Sequence, residues 1–347
     1  MPSRFISLTD LDANGEQAWR QLAQRSVDAN PFYEPDFVIP AARHLGGRSV
    51  GLLVLEEGGE WVACLPATSR GAWRTPYTFL GTPLLAPDAA ERLPELLLEG
   101  ARGTVSGALM VDQVPRRSVA WRAIEDAIAR GDVVPVVERG FDRAAFEPNG
   151  HRPVLPLPSR RRADLRRTRR RLEERLGGEV AFETRAPDDE TIARFLELES
   201  GGWKGEEGTA LASQPGHAEF FADLCRRFGR DGRMEIVAMS CAGRVVAMAT
   251  MLRSGDCRYA FKIGIDEEFR KQAPGAQLIV ELAERPPDGA PAFLDSCSAP
   301  DNDTLNRLWP DRRELVTAVL ARPGVRAGVM KQALRVAGAA ATGSSSR

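Results

Sequence analysis

The residues best suited to chemistry in this chain fall in its second half. The run Gly264-Ile-Asp-Glu-Glu-Phe-Arg270-Lys271-Gln272-Ala-Pro-Gly275-Ala276 lies between a strong strand pattern and a strong helix pattern. A loop that opens a helix presents backbone N–H groups without intrahelical partners and the positive end of the helix dipole. With Arg270, Lys271 and Gln272 beside it and Gly275 permitting close approach, this is where a pyrophosphate would sit. The plainer reading is an ordinary strand-to-helix turn with surface charges. In Ser200-Gly-Gly-Trp203-Lys204-Gly-Glu-Glu-Gly-Thr209, Trp203 walls a pocket and Lys204 meets a carboxylate or phosphate, or Trp203 plugs the core beneath the loop. Lys262 interrupts an apolar strand. Facing inward it needs a partner, for which Asp295 is placed; facing outward it is a surface lysine.

Other machinery is thin. His44, His151 and His217 lack metal-ligand spacing and read as structural or surface residues. There is no G-x-S-x-G elbow, no Walker loop and no G-x-G-x-x-G opening a helix. Cys297 has no base beside it in sequence and reads as a buried strand residue. From Arg160 to Arg175 nine arginines face only Asp164, Glu173 and Glu174, while Leu165, Leu172 and Leu176 share one helical face. This basic amphipathic helix reads as a solvated face packed through its leucines. Binding of an anionic cofactor or carrier competes with that reading, whereas no interleaved aromatic offers a stacking platform for single strands.

The elements that must position these groups occur twice in the same order. Gly51–Glu57 and Trp61–Ala67 flank a Gly58-Gly59 turn and are followed by Tyr77–Gly81; Met234–Cys241 and Arg244–Leu252 flank Ala242-Gly243 and are followed by Tyr259–Gly264. A helical segment follows each meander, at 89–98 and 276–284, and amphipathic stretches precede them at 15–24 and 190–199. Strand candidates at 292–297 and 315–321 close the pattern. The proline-punctuated stretch 151–158 is a boundary or a crossing strand. Strands, helix, then strands describe an α+β fold, and the repeated order suggests duplication.

Composition narrows the class. A chain of 347 residues, 43% hydrophobic and 27% charged, makes about two domains. Its 47 basic and 48 acidic residues cancel, so no global field collects nucleic acid or an anionic membrane. Five scattered cysteines without a C-x-x-C argue against disulfides and for a reducing, cytoplasmic setting. No run approaches the ~20 apolar residues of a membrane span, and the amino terminus lacks a signal-peptide core.

Taken together, Gly-Trp203-Lys204-Gly-x-x-Gly-Thr209-Ala-Leu211, the strand Tyr259-x-Phe-Lys262-x-x-x-Asp266, Ala-Pro274-Gly275 opening a helix, and Asp295-Ser-Cys-Ser followed by Asn302 resemble the CelD-like branch of the GNAT acyltransferases. That branch is similar to the FemABX peptidyltransferases in joining two GNAT-type domains. The basic 160–176 stretch and Thr78-Phe-Leu-Gly-Thr-Pro-Leu84 fit the pattern, which covers most of residues 30–325. The resemblance implies two tandem GNAT-like domains, each a twisted, mostly antiparallel sheet flanked by helices. They are expected at 1–150, degenerate, and at 151–337, holding the donor site, with a disordered tail at 338–347. It also implies acyl transfer from acyl-CoA, without a metal, to an amine or hydroxyl acceptor that is a small molecule or part of the cell envelope. The expected donor-binding residues are Ile263, Ile265, Arg270, Lys271, Gln272, Gly275 and Ala276. Trp203, Lys204 and Asn302 would meet the acceptor. Asp295 would take a proton, Tyr259 return one to sulfur, and Lys262 orient the acceptor or pair Asp295. The phosphate loop departs from the usual Gln/Arg-x-x-Gly-x-Gly/Ala, carrying Ala273-Pro274 ahead of Gly275. Two alternatives remain: an aminoacyl-tRNA donor held by the arginine helix, or a non-catalytic scaffold in envelope or polysaccharide assembly.

Overall fold

The computed structural model describes residues 3–46, 49–69, 71–104, 107–147, 154–201, 208, 210–285 and 293–324. Trp203, Lys204, His151 and the tail 338–347 therefore lie outside the described residues. Contacts divide the chain into two units, one of Met1–Asp142 with the segment from Glu314 onward, the other Arg143–Arg313. The halves expected at 1–150 and 151–337 are each continuous. Contacts group the segment from Glu314 with the first unit, where its strand pairs with Ala108–Pro115. Among the described residues no helix is long and apolar enough to cross a membrane.

In the first unit, strands β1 (Arg4–Ser7), β2 (Gly51–Glu57), β3 (Glu60–Thr68) and β4 (Gly71–Ala72) run antiparallel in that order, and β5 (Leu84–Leu85) also pairs β3. The β2–β3 turn has Gly58 at φ 60° and Gly59 at φ 88°, both left-handed, as a type I′ hairpin requires. Helices α1 (Ala13–Arg25), α2 (Pro35–His44), α3 (Leu93–Arg102) and α4 (Val119–Arg130) belong to this unit, as does β6 (Ala108–Pro115). β6 pairs with Leu315–Ala321, the second part of β13 (Asp311–Ala321). Tyr77–Gly81, expected as a third meander strand, is instead irregular. The Thr78 hydroxyl accepts from Thr75 N at 3.0 Å, a side-chain turn that takes the backbone out of any ladder.

β7 (Val134–Phe146) carries the chain into the second unit. There the strand order is β7, β12 (Phe293–Asp295), β11 (Cys257–Ile265), β10 (Arg244–Ser254), β9 (Met234–Cys241) and β8 (Val180–Arg185). All neighbours are antiparallel except β11 and β12. This is a mixed α+β fold with antiparallel-dominated sheets flanked by helices. On one face Leu172 of α5 (Ser159–Leu176), Leu278 and Leu282 of α8 (Pro274–Glu284), and Trp309, just beyond α9 (Asp303–Leu308), join the strand residues Val237, Met239 and Met251 in one core. On the other, Phe195 of α6 (Asp189–Ser200) stacks on Phe221 of α7 (His217–Arg230) at 4.8 Å, and Phe221 meets Phe261 of β11 at 6.4 Å. Covered on both faces, β10 reads as an almost unbroken apolar run, and each large side chain so buried contributes roughly 1.5–3 kcal/mol.

Candidate functional site

The site arises where two strands part. β11 and β12 pair in parallel at Cys257–Phe293, Arg258–Leu294 and Tyr259–Asp295, and there the pairing ends although β11 continues to Ile265. A bulge sits at the same level. Thr250 opposes Lys262 while Met251 opposes Ala260, leaving Phe261 as the extra residue. The Thr250 hydroxyl fills the irregularity, accepting from Lys262 N at 3.2 Å. This turns the Lys262 backbone toward β10, as does the Asp266 N–H donated to Val246 O at 2.9 Å. By alternation the backbones of Ile263 and Ile265 turn the other way, toward the widening gap.

A cavity of about 430 Å³ occupies that gap, lined by Ile263, Gly264 and Ile265 on β11, by Arg270, Ala273, Pro274, Gly275, Ala276 and Ile279 around the start of α8, and by Asn302, Thr304 and Leu305 at α9. Leu198, Glu199 and Glu267 complete the wall. α8 starts abruptly. Ala273 sits at φ 51°, left-handed without being glycine, and Pro274 follows as the first helical residue, where a missing N–H costs nothing. The first helical bond runs from Gln277 N to Ala273 O at 3.2 Å, so the N–H groups of Gly275 and Ala276 precede the ladder. Arg270, largely exposed, stands 3.8 Å from Glu267. The arrangement offers an apolar slot with anion-binding groups at one end.

Of the residues expected from sequence, the cavity brings together Ile263, Ile265, Arg270, Gly275, Ala276 and Asn302. Asn302 has a second task, since its side chain accepts from Leu305 N at 3.0 Å and caps α9. Lys271 is exposed and outside the lining, and Gln272 turns its carbonyl to the Gln277 side chain at 2.9 Å. Neither lines the cavity.

The expected proton-transfer group, Asp295, is not among the residues that line the cavity. Asp295 is wholly buried, and its carboxylate accepts from Arg143 Nε and Nη2 at 2.6 Å each, from Arg313 Nη1 at 2.6 Å and from Cys297 N at 3.0 Å. Burial alone would raise its pKa, but the two guanidiniums outweigh that and bring it down to about 2. An acid this strong, held by four donors, does not collect protons near neutrality. Tyr259 is also fully buried. Burial pushes its pKa well above the usual phenol value, and Arg313 lies over its ring at 5.7 Å, so it faces an ion cluster rather than the cavity. Lys262 is half-buried and outside the lining; after burial, its charge is what lowers the pKa of His217. Burial and the adjacent Asp295 charge raise the Cys297 thiol far above its ordinary value, which leaves it inert.

Glu199 is the residue that sequence reasoning missed. It is 2% exposed, lines the cavity, and its Oε2 accepts from Leu211 N at 2.8 Å. A signal existed: carboxylates in the last turn of a helix oppose the dipole, and α6 ends on Glu197 and Glu199 with no basic residue. Gly264, a lone glycine in a strand, was the second signal. A Cβ there would lie 2.9 Å from Glu199 N and 3.2 Å from its Cα, so the glycine lets the end of α6 press against β11. Gly264→Val is expected to cost about 1–3 kcal/mol by forcing these backbones apart. Urea unfolding checks this; an unchanged midpoint would show that the contact is not tight.

Comparison with known proteins agrees with this geometry. Residues 159–293 match the family model described as acetyltransferase (GNAT) domain. Among solved structures the chain is similar to FemX, with 12% identity over 92% of this chain and 97% of that one and a TM-score of 0.63. It is also similar to a conserved protein of unknown function from Bacteroides thetaiotaomicron VPI-5482, with 13% identity over 92% and 99% of the two chains and a TM-score of 0.56. At these identities the likeness is one of fold. No curated protein matches the chain. The segment matched by that model runs from α5 to the start of β12 and contains most of the cavity wall.

Proposed function

We propose that the second unit moves an acyl group from acyl-CoA to an amine by direct attack on the thioester. The observation that carries this reading is the cavity beside the part of β11 that runs on past its pairing with β12, lined also by the start of α8. Arg270 and the N–H groups of Gly275 and Ala276 hold donor phosphate, and the apolar slot of Ile263, Ile265, Ile279 and Leu305 takes the thiol-bearing arm. The backbone N–H group of Ile265 polarises the thioester carbonyl, with Ile263 beside it in the lining. Glu199 replaces Asp295 as the proton acceptor. As the amine nitrogen bonds to the carbonyl carbon, the carboxylate removes a proton from that nitrogen. The C–S bond then breaks, and the departing thiolate takes the proton, leaving an amide, a free thiol and the carboxylate restored. Holding amine and thioester together supplies much of the rate.

An amine suits this wall better than a hydroxyl. A carboxylate is far too weak a base for an alcohol, but it readily takes the acidic proton of an amine that has begun to attack. Among the described lining residues, Glu267 stands beside Arg270 and Glu199 is the other acidic group, so a cationic acceptor is favoured beside Glu199.

Calorimetry with coenzyme A tests the donor. Wild type is expected to bind, and Arg270→Glu to bind about tenfold more weakly, because an ion-paired phosphate contact at an open mouth is worth about 1–2 kcal/mol. No heat with wild type would remove the acyl-CoA reading. A second reading, an aminoacyl-tRNA donor, is favoured by the exposed arginines Arg160, Arg166, Arg167, Arg170 and Arg171 on α5. It predicts tRNA affinity falling steeply with salt and no coenzyme A binding.

A further inference from the structure

The carboxylate expected to do chemistry has a different task. The bonds that Asp295 makes lie where the pairing of β12 with β11 ends. Pairing with β11 stops at Asp295. The next residue, Ser296, still donates to Ala144 O of β7 at 3.2 Å, so the chain stays with β7 as it leaves β11. Cys297 then adopts φ 49°, a left-handed conformation that costs a residue with a Cβ. Its N–H is held at 3.0 Å by Asp295 Oδ1, the oxygen that also accepts from Arg143 Nε. Beyond this turn the chain reaches Asn302, Thr304 and Leu305, the far wall of the cavity. Arg143 and Arg313, the first and last residues of this unit, fix the carboxylate from two strands.

We infer that Asp295 is a positioning residue that holds the cavity open: clamped by Arg143 and Arg313, it fixes the left-handed turn at Cys297 and thereby sets α9 apart from β11. The turn is strained, so the carboxylate must supply what glycine would otherwise supply. The inference concerns the shape of the cavity and rests on the acyl-CoA reading only for its ligand readout.

Hydrogen exchange and coenzyme A calorimetry on wild type, Cys297→Val, Cys297→Gly and Asp295→Asn test it. Valine resists the left-handed region and keeps all three charges. It is expected to speed exchange of the Asn306 amide in α9 and of the Trp309 amide that caps it about tenfold relative to β9 and β10, and to weaken coenzyme A about tenfold. Glycine accepts the turn and should stay within about twofold of wild type in both readouts. Asp295→Asn should repeat the valine pattern, with α9 moving beyond any change at β9 and β10; if that variant does not fold, the Cys297 pair carries the test. A residue that served stability alone would shift α9, β9 and β10 together. That result, or an α9 unmoved in Cys297→Val, overturns the inference. If wild type fails to bind coenzyme A the donor reading falls, and the exchange pattern alone decides this one.

Discussion

Glu199→Gln is expected to slow amide formation about 10²- to 10⁴-fold while leaving coenzyme A affinity unchanged, the range typical of removing a positioned proton acceptor. Glutamine keeps the size of the side chain, and its carbonyl oxygen can still accept from Leu211 N, the bond Oε2 makes at 2.8 Å. The close approach of α6 to β11 at Gly264 is a backbone contact and does not depend on the carboxylate. What is lost is the negative charge and the site for a proton. Thiol release from acetyl-CoA with n-butylamine as acceptor, and mass detection of the amide, measure the effect. A variant that retains turnover within about threefold of wild type would remove Glu199 from the proton path. An equal loss with n-butanol as the acceptor would mean that the cavity does not select for nitrogen.

How much of this was legible beforehand depended on how local the determining interactions are. The hairpins were readable because Gly58-Gly59 and Ala242-Gly243 fix the turn within neighbouring residues, and all four adopt positive φ. The anion-binding end of the cavity was readable for the same reason: groups without intrahelical partners at the start of a helix follow from where the helix begins. The ion cluster was not. Arg143 lies 152 residues from the Asp295 it binds, and no local pattern announces such a pair. Without that partner, a lone aspartate on a short apolar strand looks available for chemistry. β7 escaped notice because its sequence Glu138-Arg-Gly-Phe-Asp-Arg143 is charged on both faces and mostly exposed until Arg143. The expectation of period two fails where only the end of a strand is buried. The strand expected at Tyr77–Gly81 failed for a third reason, since hydroxyl groups at Thr75 and Thr78 offered the backbone closer partners than a neighbouring strand could.

Removing the Asp295 charge should have the largest effect on stability, and the loss should depend on pH in a defined direction. Asp295→Ala removes the buried carboxylate that pairs with both Arg143 and Arg313. Breaking a buried ion cluster by deleting one partner costs about 3–5 kcal/mol, because the charges that remain keep their desolvation cost and lose their attraction. In the folded protein the carboxyl has a pKa of about 2, below its ordinary value, so the native state binds the proton less readily than the unfolded chain. The stabilisation from that difference is therefore complete above the unfolded value, near 4, and declines as pH falls toward about 2. Urea midpoints of wild type and Asp295→Ala should be far apart at pH 7, still far apart at pH 5, and should converge as the pH drops below about 4, where the wild-type advantage is titrated away. A gap that stayed constant down to pH 2.5 would mean that the advantage comes from the shape of the side chain and its bond to Cys297 N, and not from a carboxylate held ionised between two arginines.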